Sequence, residues 1–128
     1  MKTDPNPTDP YNLLNRRLIP FDLDEDQVIG RLWRGWTAPK DADAYERLLR
    51  ETVLPALREI DGYQGGFVFR RDLGDEVEFA VLNIFASIDA VRAFAGEDYE
   101  VPVFEPEARR LLARVEPIAR HYDLRVRV

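Results

Sequence analysis

The segment "EVEFAVLNIF", residues 76–85, constrains the fold more than any other part of the chain. A strand points successive side chains to opposite faces. Phe79, Val81, Asn83 and Phe85 therefore share one face, while Ala80, Leu82 and Ile84 share the other. Both faces are mainly apolar, so this strand belongs inside a sheet that is covered on both sides. A helix layer accounts for one cover. A second copy of the chain is the economical candidate for the other.

The flanking segments supply the rest of such a sheet. "FVFRRD" precedes the strand and is joined to it by the short turn "LGDE", which makes a hairpin with Gly74 free to adopt positive φ. Residues 28–37 read as another strand, rich in β-branched and aromatic types. Within it Arg31 and Trp33 share one face, and Leu32, Arg34 and Trp36 the other. Between these strands, "APKDADAYERLLRETVLPALREI" carries Tyr45, Leu48, Leu49, Thr52, Ala56 and Ile60 at helical spacing. Pro55 lies inside that pattern and removes a backbone donor, which predicts a kink in one helix.

Ser87 is the expected N-cap of a short helix, "IDAVRAFA", that Gly96 ends. Pro106 is expected to open a further helix, "PEARRLLARV", that Pro117 closes. The last strand, "IARHYDLRVRV", alternates Tyr122, Leu124, Val126 and Val128 with His121, Asp123, Arg125 and Arg127. Its apolar set is expected to face the helices, leaving His121 toward an inter-sheet cavity or water. The order strand, helix, strand, strand, helix pair, strand predicts a ferredoxin-like α+β sandwich over residues 28–128. Residues 1–27 form a Pro- and Asp-rich N-terminal arm, yet one that holds enough apolar groups to pack on the body or on a partner subunit.

Composition removes several functions. With no cysteine among 128 residues, disulfides, thiolate nucleophiles and thiolate metal sites are excluded, which fits a reducing, cytoplasmic setting. A net charge of −6, with arginines interleaved among acids, argues against nucleic acid as a partner. No apolar run approaches the ~20 residues that cross a bilayer, and "MKTDPNPTDP" lacks the apolar core of a secretory signal, so no membrane partner is expected. One histidine cannot make a transition-metal site alone, and no His or Glu pair stands at ligand spacing, so no metal is expected.

The residues left to carry chemistry are few. His121 is the only side chain with an ordinary pKa near neutrality. It reads either as a general base toward a phenol or enol, or as a half-exposed strand histidine. Arg31, Trp33, Arg34 and Trp36 combine rings with guanidinium groups and suit an aromatic carboxylate or enolate. The alternative is that the tryptophans pack and the arginines pair with acids. Asn83 either bonds backbone or lines a cavity beside Phe85, and Tyr99, in a loop, is placed to close over a pocket mouth.

"IGRLWRGWTAPKDADAYERLL", "VLPALREIDGYQGG", "DEVEFAVLNIFASIDAVRAFAGEDYE" and "HYDLRV" together resemble the antibiotic biosynthesis monooxygenase family, from about Val28 to the C-terminus. The resemblance implies a homodimeric α+β barrel whose two sheets pack face to face. It also implies oxygenation, without a cofactor, of an aromatic or quinone-like small molecule. The haem-degrading branch of that fold uses an Asn on the first strand, a Trp closing the third and a His on the next helix. Here Gly30 and Phe85 stand at the first two places, and no histidine occurs between Ser87 and Arg110, which disfavours haem degradation. Two other readings stay open: a non-catalytic small-molecule-binding or stress-associated dimer, and a proton-transfer isomerase. An enclosed inter-sheet cavity with His121 or an arginine pointing inward would favour chemistry.

Overall fold

A computed structural model describes residues 28–128; the N-terminal arm and its expected packing lie outside the described residues. The element order is β1 (Ile29–Thr37), a 3-10 turn (Pro39–Asp41), α1 (Ala42–Leu48), a π turn (Leu49–Val53), α2 (Leu54–Leu57), β2 (Tyr63–Asp72), β3 (Val77–Phe85), α3 (Ile88–Ala95), α4 (Pro106–Leu111), β4 (Leu112–Val115) and β5 (Arg120–Asp123). β2, β3, β1 and β4 lie side by side in that order, and β5 also pairs β1. All pairings are antiparallel. With β4 and β5 together standing for the last strand, this is the ferredoxin-like α+β arrangement that the sequence predicts.

The core lies between the sheet and the helices. Phe79 and Phe85 from β3 and Val91 from α3 are fully buried. The Tyr45 ring meets Phe79 edge-on at 4.9 Å between centroids. Each such buried side chain contributes about 1.5–3 kcal/mol through loss of apolar surface from water. Ser87 Oγ accepts a hydrogen bond from the Ala90 N–H, and Gly96 ends α3 at φ +89°, where a side chain would be strained.

The other face of the sheet remains apolar and half open. Cross-strand register puts Leu32, Ala80, Leu82, Phe67, Phe69 and Tyr122 on it. Phe67, Phe69 and Tyr122 are each more than half exposed. Trp36 sits on this face too but is closed over by guanidinium groups, with Arg114 at 4.0 Å and Arg34 at 5.5 Å from its ring.

Four expectations need correction. The helix from Pro106 stops at Leu111, and Leu112–Val115 is a strand. The free edge of β1 captures that segment, because ladder bonds at Gly35, Trp36 and Thr37 override the local helix preference of Leu112, Ala113 and Arg114. β2 begins at Tyr63, earlier than its apolar run suggests, with a bulge between Tyr63 and Gly65. The last strand spans only Arg120–Asp123, and Tyr122 faces the open side while His121 faces the helices, the reverse of the expected orientation. Alternation cannot tell two apolar faces apart; the pairing of His121 with Arg31 decides it. Around Pro55 the helix is continuous, as expected, but it accommodates the proline through a π turn in which the Leu54 N–H reaches the Leu49 carbonyl.

Candidate functional site

A cavity of about 320 Å³ lies between the sheet and the helices. Leu49, Val53 and Leu57 form its helical wall, Trp33 and Val81 part of its floor, and Phe94 one side. Pro102, Val103, Phe104 and Glu105, from the loop before α4, line its partly open mouth. The Phe104 ring meets Trp33 edge-on at 5.3 Å. Trp33 is fixed in turn by the bond from its Nε1–H to the Glu116 carbonyl, 2.9 Å. Gly35 makes room for that ring, because a Cβ there would stand 2.5 Å from Trp33 Cη2.

Two polar side chains occupy the floor. Arg31 and Asn83 are register partners on β1 and β3, 5% and 8% exposed respectively. Among the described residues no carboxylate forms an ion pair with Arg31. Its Nη1 donates to the Tyr99 carbonyl and to His121 Nε2 at 2.9 Å, and its Nη2 to the Val101 carbonyl at 3.4 Å. Phe94 lies under the guanidinium, 5.3 Å from its centre. Burial lowers the Arg31 pKa to about 10, so the group stays cationic at neutral pH. Asn83 Oδ1 accepts from the Tyr63 hydroxyl at 2.8 Å.

His121 does not line the cavity; it stands behind Arg31. Arginine only donates, so the Nε2 lone pair is taken and the ring proton sits on Nδ1. That Nδ1 is buried with no partner among the described residues. Burial, and then the Arg31 charge, push the His121 pKa down to about 4. A neutral imidazole with its lone pair engaged is a weak proton acceptor. Tyr99 packs edge-on against that imidazole at 5.1 Å and ties its loop to Arg31 through its carbonyl.

The structure thus brings together Arg31, Trp33 and Asn83 in the cavity, with His121 and Tyr99 attached behind them. Arg34 and Trp36 are elsewhere, on the open sheet face. Arg34 is bonded to Glu116 at 2.8 Å, and Arg120 reaches the same carboxylate at 2.7 Å. Phe85 lies behind the cavity, between Tyr63 and Phe94. Sequence reasoning missed Tyr63, Phe94 and Phe104. Phe94 was within reach, as an aromatic on the inward stripe of α3; nothing local distinguishes Tyr63 or Phe104. Among the described residues no cluster of His, Asp and Glu is placed to hold a metal ion, and no helix is long and apolar enough to cross a membrane.

A ferredoxin-like sheet with a buried cation in an aromatic-walled cavity defines the class: a small α+β domain built around an internal pocket. No family model matches the chain, and no curated protein matches its sequence significantly. Solved structures do match its shape. One is a proposed antibiotic biosynthesis monooxygenase from Bacillus cereus, at 10% identity and a TM-score of 0.56, covering 80% of this chain and 97% of that one. Another is SnoaB, a cofactor-independent oxygenase from Streptomyces nogalater, at 15% identity and a TM-score of 0.51, covering 80% and 95%. A third is the ActVA-Orf6 monooxygenase of Streptomyces coelicolor in complex with nanaomycin D, at 14% identity and a TM-score of 0.50, covering 80% and 91%. The chain has the fold of these monooxygenase-type proteins.

Proposed function

We propose that this protein is a cofactor-independent monooxygenase of an ionised aromatic or quinone-like molecule, and that it works as a homodimer joined through the open sheet face. The observation that carries the reading is Arg31, a buried guanidinium without a carboxylate partner among the described residues, in the floor of a cavity walled by Trp33, Phe94 and Phe104. A buried cation is costly alone and favours an anion beside it. The aromatic walls suit a flat ring system.

The same cation does the first chemical work. A phenol or enol held against Arg31 has its pKa lowered, so it loses its proton to solvent without a dedicated base. The resulting carbanion character lets the substrate reduce molecular oxygen itself. A C–O bond forms to give a peroxide, which takes up a proton and expels water to leave a carbonyl. One oxygen atom enters the product and the other leaves as water, so the substrate is the only reductant. Arg31 and the Asn83 amide hold the developing oxyanion, and the apolar walls keep water away.

Oxygen uptake by the purified protein with hydroxylated anthracenes and naphthalenes tests this. Consumption of one oxygen molecule per product carbonyl supports it, and binding without uptake across the series refutes the catalytic part. A second reading, ligand binding without chemistry, draws on one specific observation: the only histidine is engaged by Arg31 and absent from the cavity wall.

A further inference from the structure

Strand register sets four residues side by side across four strands: Gly66 on β2, Asn83 on β3, Arg31 on β1 and His121 on β5. The inner two, Asn83 and Arg31, line the otherwise apolar cavity, and Gly66 and His121 flank them in the row. Each end of the row uses up part of the hydrogen-bonding capacity of an inner residue. At one end the Tyr63 hydroxyl occupies Asn83 Oδ1. That bond pins the amide with its oxygen turned toward Tyr63, one of its two lone pairs used, and its NH₂ on the opposite side. At the other end, His121 Nε2 and the Tyr99 carbonyl take both Nη1 hydrogens of Arg31, leaving Nε–H and part of Nη2. Gly66 permits the first arrangement: a Cβ there would stand 2.3 Å from Asn83 Oδ1 and 2.5 Å from the Tyr63 hydroxyl oxygen. Tyr45 and Glu105, the other polar side chains around the cavity, come from the helical layer and its preceding loop, not from the floor.

From this juxtaposition we infer that Tyr63 is a specificity-determining, positioning residue. By holding Asn83 Oδ1 toward β2 it leaves a floor that chiefly donates hydrogen bonds. Such a floor selects ligands with two neighbouring acceptor oxygens, such as an ionised hydroxyquinone, over ligands that present hydroxyl donors. The inference rests on the cavity being the ligand site and adds the basis of choice among ligands. A ligand hydroxyl aimed at this floor meets chiefly donors, the remaining Asn83 lone pair being turned toward Tyr63, and buried groups left unpaired discriminate strongly.

The test is calorimetric titration of the full chain with two compounds that share a two-ring body. One is 2-hydroxy-1,4-naphthoquinone, ionised at neutral pH with no hydroxyl hydrogen left; the other is 2,3-dihydroxynaphthalene, which keeps one hydroxyl hydrogen even when Arg31 draws off the other. The wild type is expected to favour the quinone by roughly tenfold or more. Tyr63→Phe keeps the ring against Phe85 but frees the Asn83 amide to turn, and should narrow that preference several-fold by gaining affinity for the diol, while the Arg31 charge still favours the anion. Gly66→Ala presses on the same bond from the neighbouring strand and should act alike; if it does not fold, Tyr63→Phe carries the test alone. A merely structural role for Tyr63 would weaken both ligands together and leave their ratio unchanged. An unchanged ratio overturns the inference and leaves the cavity as a binding site. Failure of the wild type to bind either compound overturns both.

Discussion

The Arg31 guanidinium and the His121 imidazole are joined by one hydrogen bond of 2.9 Å, in which the histidine is the acceptor. The bond needs a neutral ring, because a protonated imidazole has no lone pair to offer. His121 is therefore expected to titrate near 4, well below its ordinary 6.5. The folded state binds that proton less readily than the unfolded chain, so its contribution to stability is complete above about pH 6.5 and is lost as pH falls toward 4. NMR titration of the single imidazole checks this, and a midpoint at the ordinary value would remove the bond from the account.

Arg31→Met keeps much of the side-chain volume and removes the cation. Affinity for ionised naphthol-type ligands should fall roughly 10- to 100-fold, the range for losing charge-assisted hydrogen bonds. The loop held by Tyr99 and Val101 should exchange its amide hydrogens faster, since two of its carbonyls lose their donor. Binding that survives the substitution unchanged would place the ligand elsewhere.

Gly35→Ala puts a methyl group 2.5 Å from Trp33 Cη2 and 2.9 Å from Leu112 Cδ2. Both neighbours are buried and the Trp33 ring is held by its bond to the Glu116 carbonyl, so relieving the contact disturbs the cavity floor. A stability loss of about 1–3 kcal/mol is expected from such overpacking. Ligand affinity should fall with it. Thermal unfolding reads the first and titration the second.

Phe67 is 53% exposed, so Phe67→Glu should leave the protomer folded while placing charge on the open sheet face. Light scattering is expected to give twice the chain mass of 14.9 kDa for the wild type and the single mass for the variant. Equal masses for the two proteins would reject this face as the dimer contact.

Glu116 is buried and bonded to Arg34 and Arg120. Burial alone would raise its pKa, but the two arginines outweigh it and hold the carboxyl below its ordinary range. Its contribution to stability is present above about 4.3, the unfolded value, and is lost as pH falls through the lower folded value. Both arginines are part-exposed, so Glu116→Gln should cost only about 1–2 kcal/mol at neutral pH. The two unfolding midpoints should converge as pH falls below that folded value. A gap that persists there would show the loss to be steric.

The sheet was legible because its signals are local. The two-faced apolar pattern of Phe79 to Phe85, the Gly74 turn and the Ser87 cap each act within a few residues. Arg31 and Asn83 were legible as polar groups on otherwise apolar strand faces. Their meeting was not, because it depends on the register between β1 and β3, which neither strand states alone. His121 was visible as the one histidine, but its direction depends on a long-range partner 90 positions away. Arg34 and Trp36 carry the same residue types as Arg31 and Trp33 and differ only in strand parity. Chemistry read from composition cannot separate them.

The π turn at Leu49–Val53 gives the cavity wall a memory of chain length. A regular helix would carry the inward stripe from Tyr45 and Leu49 to Thr52 and Ala56, yet Thr52 is exposed and Val53 and Leu57 point inward. One surplus residue has been absorbed without a loop, and everything beyond it is set back in phase. Each residue of an α-helix turns the chain by about 100°. Removing one position between 50 and 53 would therefore close the turn into regular helix and leave Leu57 in the wall, whereas removing one between 54 and 56 would swing Leu57 out of it. The size of the chamber beneath is governed by counting residues in one helix, as much as by which residues they are.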